Sequence, residues 1–373
     1  EPMQDIISGG SIQVYGYHYH ADLEDAPGDF YGATRFVAVE EASPSVQVVY
    51  DDFGAAIPGE NTLRLYLTNR SGGNLEIAPV IQASTASGQR VETASAPQVI
   101  PADETPVALA IPYEIPAIGD VTINIDLGGD SGYRAETNFN ISPLYEASYG
   151  ALLPAGSDEV ALWGASSGWK VSRVRPAPRE RDTALRIQAA RNESEAAQVV
   201  LRPSMPLDGL RVTPQALINA EGGALPAEAI QVLLVGYVPV EQPSDDLGAV
   251  APWPDPLPPI DGPIDLKPNE NQPLWVQVDV PRDAQAGIYH GAIMLEATGW
   301  QAEVPLEIEV FDFTLPDRKT CQSAFGFDGS LAAAYHGVSS EEDRRTLAAL
   351  YAEMFSAHHI SPYELGQKLI YPD

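Results

Sequence analysis

Short runs in which apolar and polar residues alternate recur along most of the chain, separated by turn-forming Gly and Pro. Such runs read as strands joined by turns. Thr62-Leu63-Arg64-Leu65-Tyr66-Leu67 puts its three Leu on one face, and Val121-Thr122-Ile123-Asn124-Ile125-Asp126-Leu127 does the same with Val, Ile and Leu. Each is the pattern of a half-buried antiparallel strand. Together with Phe36–Val39, Val46–Tyr50, Leu75–Gln82, Val107–Ile111 and Tyr133–Ile141, they predict about seven strands in roughly 110 residues, the size of an immunoglobulin-like sandwich.

A second β region comes next, with strands predicted at Ala184–Ala189, Ala196–Leu201, Ile230–Val240, Leu274–Val280, Ile288–Ala297 and Glu303–Phe313. Between its halves the prolines from Pro243 to Pro268 cannot donate ladder hydrogen bonds, so that stretch is predicted to be a loop. It is either a cover over a neighbouring surface or a stiff connector. After Pro316 the pattern changes. Ser323-Ala324-Phe325-Gly326-Phe327 reads as a buried strand. Ser339 with Glu342 forms a capping box before a helical stripe of Leu347, Leu350, Tyr351, Met354 and Phe355. His359-Ile360-Ser361-Pro362 then reads as the next strand, so a parallel βαβ unit opens here.

The expected fold class is therefore mainly β: two immunoglobulin-like β-sandwich domains, followed by the first βα unit of a (β/α)8 barrel. The expected organisation is an extended segment at 1–30, a sandwich at 31–148, a linker at 149–168, a second sandwich at 169–318 and an incomplete barrel at 319–373. A closed barrel needs about 250 residues, which the last segment does not supply.

Charge narrows the partners. Asp and Glu number 52 against 21 Lys and Arg, a net charge of −31. Residues 1–150 carry just five cations, Arg35, Arg64, Arg70, Arg90 and Arg134. Phosphate backbones and anionic membrane surfaces are disfavoured by such a chain. With 44% hydrophobic residues it nonetheless folds rather than remaining disordered. One cysteine, Cys321, excludes a disulfide within the chain. No run approaches the roughly 18 apolar residues of a membrane span, and Glu1-Pro2-Met3-Gln4 does not open a signal peptide. The expectation is a soluble chain, or one already trimmed of an export signal.

Several blocks from about Leu162 onward carry a resemblance. They are Gly168-Trp169-Lys170-Val171, Ala189-Ala190-Arg191-Asn192-Glu193 running on to Gln198-Val199-Val200, Trp253-Pro254-Asp255-Pro256-Leu257 and Asn271-Gln272-Pro273-Leu274-Trp275-Val276. Val280-Pro281, Ala286-Gly287-Ile288-Tyr289-His290-Gly291 and Val310-Phe311-Asp312-Phe313-Thr314-Leu315-Pro316 complete the set. In order and spacing these resemble bacterial glycoside hydrolases allied to glycoside hydrolase family 123. The resemblance implies a β-sandwich placed before a catalytic (β/α)8 barrel, and β-N-acetylgalactosaminidase chemistry in which the substrate's own acetamide attacks the anomeric carbon. It also implies an Asp-Glu pair deeper in the barrel, orienting the acetamide and supplying the general acid. No such pair ends a barrel strand within residues 321–373, so no catalytic residue is carried over. Asp328, Tyr363 and Glu364 lie just after the first two barrel strands, on the face where barrel active sites lie. They are the candidate substrate-binding residues, with loop capping as the plain alternative.

Other chemistry is weaker. His18, His20 and Asp22, with Glu24, share one face of a strand and form the best candidate for a structural metal ion, while the Asp22–Asp29 and Asp120–Asp130 loops lack the EF-hand pattern and read as solvated; no other cofactor is expected. The opposing face carries Tyr15, Tyr17, Tyr19 and Leu23, read as core. Gly164-Ala165-Ser166-Ser167-Gly168 matches the nucleophile-elbow spacing, but the residues after it read as strand where an elbow needs a helix.

The expected function is the non-catalytic N-terminal part of an exported bacterial glycoside hydrolase, extracellular, at the cell surface or periplasmic, which supports the barrel and binds glycan, with a glycan or polysaccharide as partner. The rival is a structural or surface-assembly protein, a homo-oligomer in which residues 1–30 add a strand to a neighbour.

Overall fold

The computed structural model describes residues 11–16, 35–40, 45–102, 105–245, 247–317 and 323–363. The protein is mainly β, about half strand, arranged in several sheets. In the first unit a six-stranded antiparallel sheet runs in the order Ser11–Gly16, Arg35–Glu40, Arg134–Ile141, Gly119–Asp126, Val80–Thr85, Arg90–Ala94. A three-stranded sheet of Val46–Asp52, Gly59–Asn69 and Val107–Ile115 faces it. Leu63, Leu65, Leu67, Ile111 and Tyr113 from one sheet share a core with Ile81, Val121, Ile123, Ile125 and Ala135 from the other. The alternation seen in the sequence is what buries these residues, each strand turning every second side chain inward. Ser11–Gly16 pairs with Arg35–Glu40 of its own chain.

Leu75–Gln82 is not one strand. Leu75–Ile77 pairs with Gln98–Ile100, while Val80–Thr85 joins the large sheet. Pro79 lies between them and lacks the N–H that a continuous ladder needs.

The second unit also has two sheets around one core. Ala151–Leu152, Val160–Ser166, Glu193–Pro203, Gln272–Val280 and Ile230–Leu234 form the first. Leu185–Arg191, Trp300–Thr314, Gly287–Ala297, Leu207–Pro214 and Ile264–Leu266 form the second, with Leu217–Asn219 and Ala224–Leu225 attached. Leu185–Arg191 runs parallel to Trp300–Thr314. Leu162, Val199, Leu201 and Val276 meet Ile187, Ile293, Val304 and Ile308 in the core.

Four expectations for this unit change, the first being Ile230–Val240, which is two strands, Ile230–Leu234 and Tyr237–Val240, in different sheets. The stretch 149–168, read as a linker, contains Val160–Ser166, hydrogen-bonded along Glu193–Pro203. It is apolar on both faces, with Leu162 and Trp163 both buried, so it lacks the alternation that marks an exposed-face strand. Trp169–Val174, read as strand, is irregular. The proline-rich loop includes two short strands, Ala251–Pro254 paired with Tyr237–Val240, and Ile264–Leu266 paired with Leu207–Pro214. The first is a two-stranded ribbon, where a proline has an outward edge to face.

At the end of the chain, Phe325–Gly326 pairs in parallel with Pro362–Tyr363. Helices α1 (Gly329–Tyr335) and α2 (Glu341–Ala357) make the crossover. The N-cap of α2 is Ser340, one residue later than expected: its Oγ accepts from Asp343 N at 3.1 Å and donates to Asp343 Oδ2 at 2.6 Å. Phe355 is buried against Phe325 and Phe327. Phe325 itself is exposed rather than buried, as are Leu331, Tyr335, Leu350 and Met354 of the helices.

Candidate functional site

Of the predicted substrate-binding residues, Asp328 and Tyr363 lie at the same end of the parallel pair, where Gly326 is in register with Tyr363. Asp328 caps α1, its Oδ1 accepting from Ser330 N at 2.8 Å and Leu331 N at 3.1 Å. Glu364 lies outside the described residues, and so do the metal candidates His18, His20 and Asp22. Among the described residues no three His, Cys, Asp or Glu side chains gather as a metal site. No described helix is long and apolar enough to cross a membrane. Ser166 ends a strand and its Oγ accepts from Gly168 N at 3.3 Å, but an irregular segment comes next instead of the helix a nucleophile elbow requires.

The structure gathers most of the sequence blocks into two places. The first is a seam where the end of the first unit meets the second. Arg175 is buried here, its guanidinium 4.3 Å from the Tyr149 ring centroid and 4.4 Å from that of Trp163. Trp169 stacks on Tyr149 at 4.3 Å with the planes 2° apart. Arg175 donates from Nη2 to Ala147 O and Tyr149 O, and from Nε to Pro176 O. Cation–π contacts and charge-assisted hydrogen bonds thus replace part of the water that a buried guanidinium loses, while Arg175 Nη1 has no hydrogen-bond partner among the described residues.

Asn271 holds the same loop from the other side. Its Nδ2 donates to Ser172 O at 2.7 Å and Arg175 O at 2.8 Å, and its backbone N–H to Arg173 O at 2.8 Å. Arg173 lies 3.9 Å over the Tyr237 ring and 3.6 Å from Glu270. The Tyr237 hydroxyl donates to Val171 O at 2.7 Å. Burial pushes this hydroxyl well above the ordinary tyrosine range, although the Arg173 charge opposes the shift. Lys170 Nζ reaches Pro254 O at 3.0 Å and Asp255 at 3.2 Å, and Ser142 donates to Leu247 O at 2.6 Å. The blocks at 168–171, 253–257 and 271–276 therefore converge on one joint.

The second place is the opposite turn, Arg191-Asn192-Glu193, where the chain crosses between the two sheets. Asn192 adopts φ 62°, and its Nδ2 donates to Leu315 O at 3.0 Å and Asp317 Oδ1 at 2.8 Å. Arg282 holds Asp317 at 2.6 Å, and Glu193 accepts from Ala190 N at 2.6 Å. This hub grips the chain where it leaves the second unit. Most of these contacts hold backbone or Asp317, while Arg191 Nε is buried without a hydrogen-bond partner among the described residues. Sequence reasoning passed over Arg175 because its partners, two rings and three carbonyls, are distributed over other segments, and Arg175-Pro176-Ala177-Pro178-Arg179 resembles a solvated turn.

Fold and site together define a layered β module with a built joint at one end and a gripped exit at the other. Residues 165–297 match the Glycoside hydrolase 123 N-terminal domain, which relates the chain to glycoside hydrolase family 123 through this segment. A search of curated proteins gives no match. Among solved structures, the chain is similar to a family 123 glycoside hydrolase from Clostridium perfringens that acts in glycolipid glycan hydrolysis. Identity there is 17% with a TM-score of 0.41, over 47% of this chain and 32% of that enzyme. Red sea bream transglutaminase matches at 10% identity and a TM-score of 0.21, over 72% of this chain and 32% of that one. A glycosyl hydrolase family 2 member from Bacteroides cellulosilyticus matches at 9% identity and a TM-score of 0.21, over 69% and 24%. The chain thus spans about a third or less of the length of these proteins.

Proposed function

We propose that the chain is the non-catalytic N-terminal portion of an exported bacterial glycoside hydrolase, acting at the cell surface, in the periplasm or outside the cell. In this reading the first unit is an immunoglobulin-like sandwich and the second is the family's own sandwich. Residues from about 319 open a (β/α)8 barrel in which a retaining, substrate-assisted reaction on an N-acetylhexosaminide takes place. The observation that carries it is the family match over residues 165–297, which falls within the second sandwich.

Two features support it. The parallel pair with its helical crossover has the form of a βα repeat, and its exposed Leu331, Leu350 and Met354 are what such a repeat offers to neighbouring repeats. The Asn192 hub holds Leu315 and Asp317, where the chain leaves the sandwich.

The test is the intact mass of the protein purified from its native source, together with assay on a chromogenic N-acetyl-β-galactosaminide. A mass well above the 40.0 kDa of these residues, with hydrolysis by the native protein and none by residues 1–373 alone, is the expected result. A native mass of 40.0 kDa, or no release of the sugar, overturns the reading.

A further inference from the structure

The outer face of the three-stranded sheet in the first unit has an arrangement that the joint and the exit hub do not use. Leu63, Leu65 and Leu67 enter the core, so Glu60, Thr62, Arg64 and Tyr66 stand outward in a row along Gly59–Asn69. The register places Tyr66 between Tyr50 and Ala108, Arg64 between Asp52 and Ala110, Thr62 beside Pro112 and Glu60 beside Glu114. The Tyr50 and Tyr66 rings lie 5.7 Å apart at 55°, and Tyr66 is 38% exposed. Arg64 meets Asp52 at 3.3 Å, and Asp52 is braced by Gly54 N at 2.7 Å.

Ala108, Ala110 and Pro112 are outward-facing and small, so the row on the middle strand has only short neighbours on that side. At the Glu60 end of the row is a cleft of about 660 Å³ whose lining includes Glu60, Thr62, Arg64, Pro112, Glu114 and, from the other sheet, Thr93. That volume is within the usual range for small-molecule sites. From Glu60 to Tyr66 the row extends about 20 Å, at roughly 3.4 Å per residue.

We infer that this face binds a neutral polysaccharide chain. A sugar ring presents an apolar face to an aromatic side chain and a rim of hydroxyls that both donate and accept. The face offers Tyr66 for the first, with the Arg64 guanidinium and Thr62 hydroxyl as donors and the Glu60 and Glu114 carboxylates as acceptors. Anionic glycans and nucleic acids meet three carboxylates against one guanidinium, on a chain of net charge −31. A protein partner would find its apolar area, Tyr50, Tyr66, the exposed Val49, two Ala and one Pro, interrupted by Arg64, Thr62 and three carboxylates. This goes beyond the proposed function and requires no barrel, so hydrolysis can fail while binding holds.

The experiment is affinity electrophoresis of residues 1–373 in gels containing β-glucan, galactomannan, xylan or glycol chitin, with polygalacturonate as the anionic comparison. Retardation by at least one neutral polysaccharide is expected, weakened about 10-fold or more by Tyr66→Ala and retained by Tyr66→Trp. Ala110→Arg places a long side chain beside Arg64 from an exposed position, covering the row, and should abolish retardation without moving the melting midpoint. This variant decides the matter if Tyr66→Ala does not fold. The inference is overturned if no neutral polysaccharide retards the wild type, if folded Ala110→Arg is retarded equally, or if polygalacturonate retards the wild type as strongly.

Discussion

Asn192 shows how one side chain can fix a junction. A non-glycine residue in the left-handed region costs about 1–2 kcal/mol, a cost that Asn tolerates better than most residues. Its two donated hydrogen bonds contribute about 1 kcal/mol each. Asn192→Ala should therefore lower unfolding free energy by about 1–3 kcal/mol, and Asn192→Gly by about 1 kcal/mol less, because only the backbone strain is relieved. Urea denaturation of the two variants checks the order; equal losses would show that backbone conformation contributes nothing. Glu146 offers a pH-dependent counterpart at the seam. Burial alone would raise its pKa, but N–H donation from Ser148 and Ala147 and the Arg175 charge outweigh it and hold the carboxyl below the usual 4.5. A folded value below the unfolded one stabilises the protein above pH 4.5, and that contribution is lost as pH falls through the folded value. The stability difference between wild type and Glu146→Gln should be about 0.5 kcal/mol at pH 7, after allowing for solvent screening, and should vanish in acid. Melting series at several pH values read this difference, and a gap that widens in acid would refute it.

Among elements, helices α1 and α2 carry apolar residues that the described structure leaves in water. If further barrel repeats cover them, Leu331→Ser should change the stability of residues 1–373 by less than about 0.5 kcal/mol, yet cost about 1.5–3 kcal/mol in the native full-length protein. Thermal melts of both proteins make the comparison, and equal effects in the two would count against a covering barrel. Legibility at this scale depends on where each element's partners are. Thr62–Leu67 and Val121–Leu127 are readable because a strand with one wet face displays its alternation locally. Val160–Ser166 is not, because both of its faces are buried and its turn-like Gly and Ser obscure its end. Ala251–Pro254 is a strand because Tyr237–Val240 lies beside it, a fact absent from its own residues. The candidate site divides in the same way: Asp328 before Gly329-Ser330 has the form of a helix cap, whereas the burial of Arg175 depends on Tyr149, Trp163 and Asn271 from three other segments.

For the whole molecule, charge is the dominant global quantity. With a net charge of −31, the folded state crowds like charges that the unfolded chain spreads apart. The described salt bridges, such as Arg134–Asp126 and Arg345–Glu341, are mostly exposed and offset little of this. Raising salt from about 0.01 to 0.15 M shortens the screening length from about 30 to 8 Å. The melting temperature should rise by about 2 °C or more, by calorimetry. A fall would mean that attractive pairs outweigh the repulsion.

The parallel pairing of Leu185–Arg191 with Trp300–Thr314 sets a timetable. Arg186 and its partner Glu307 are 121 residues apart, so a ribosome adding about 5–20 residues per second makes the earlier strand wait about 6–24 s for the later one. The first unit needs nothing beyond Ile141 to complete its sheets. Ribosome-arrested chains should therefore show a protease-resistant first unit by about residue 190, once the exit tunnel is cleared, while the second is still digested at residue 290. Nascent molecules pass through a stage in which one finished sandwich trails an unfinished, apolar half. Resistance of both units at residue 290 would show that the late strand is dispensable.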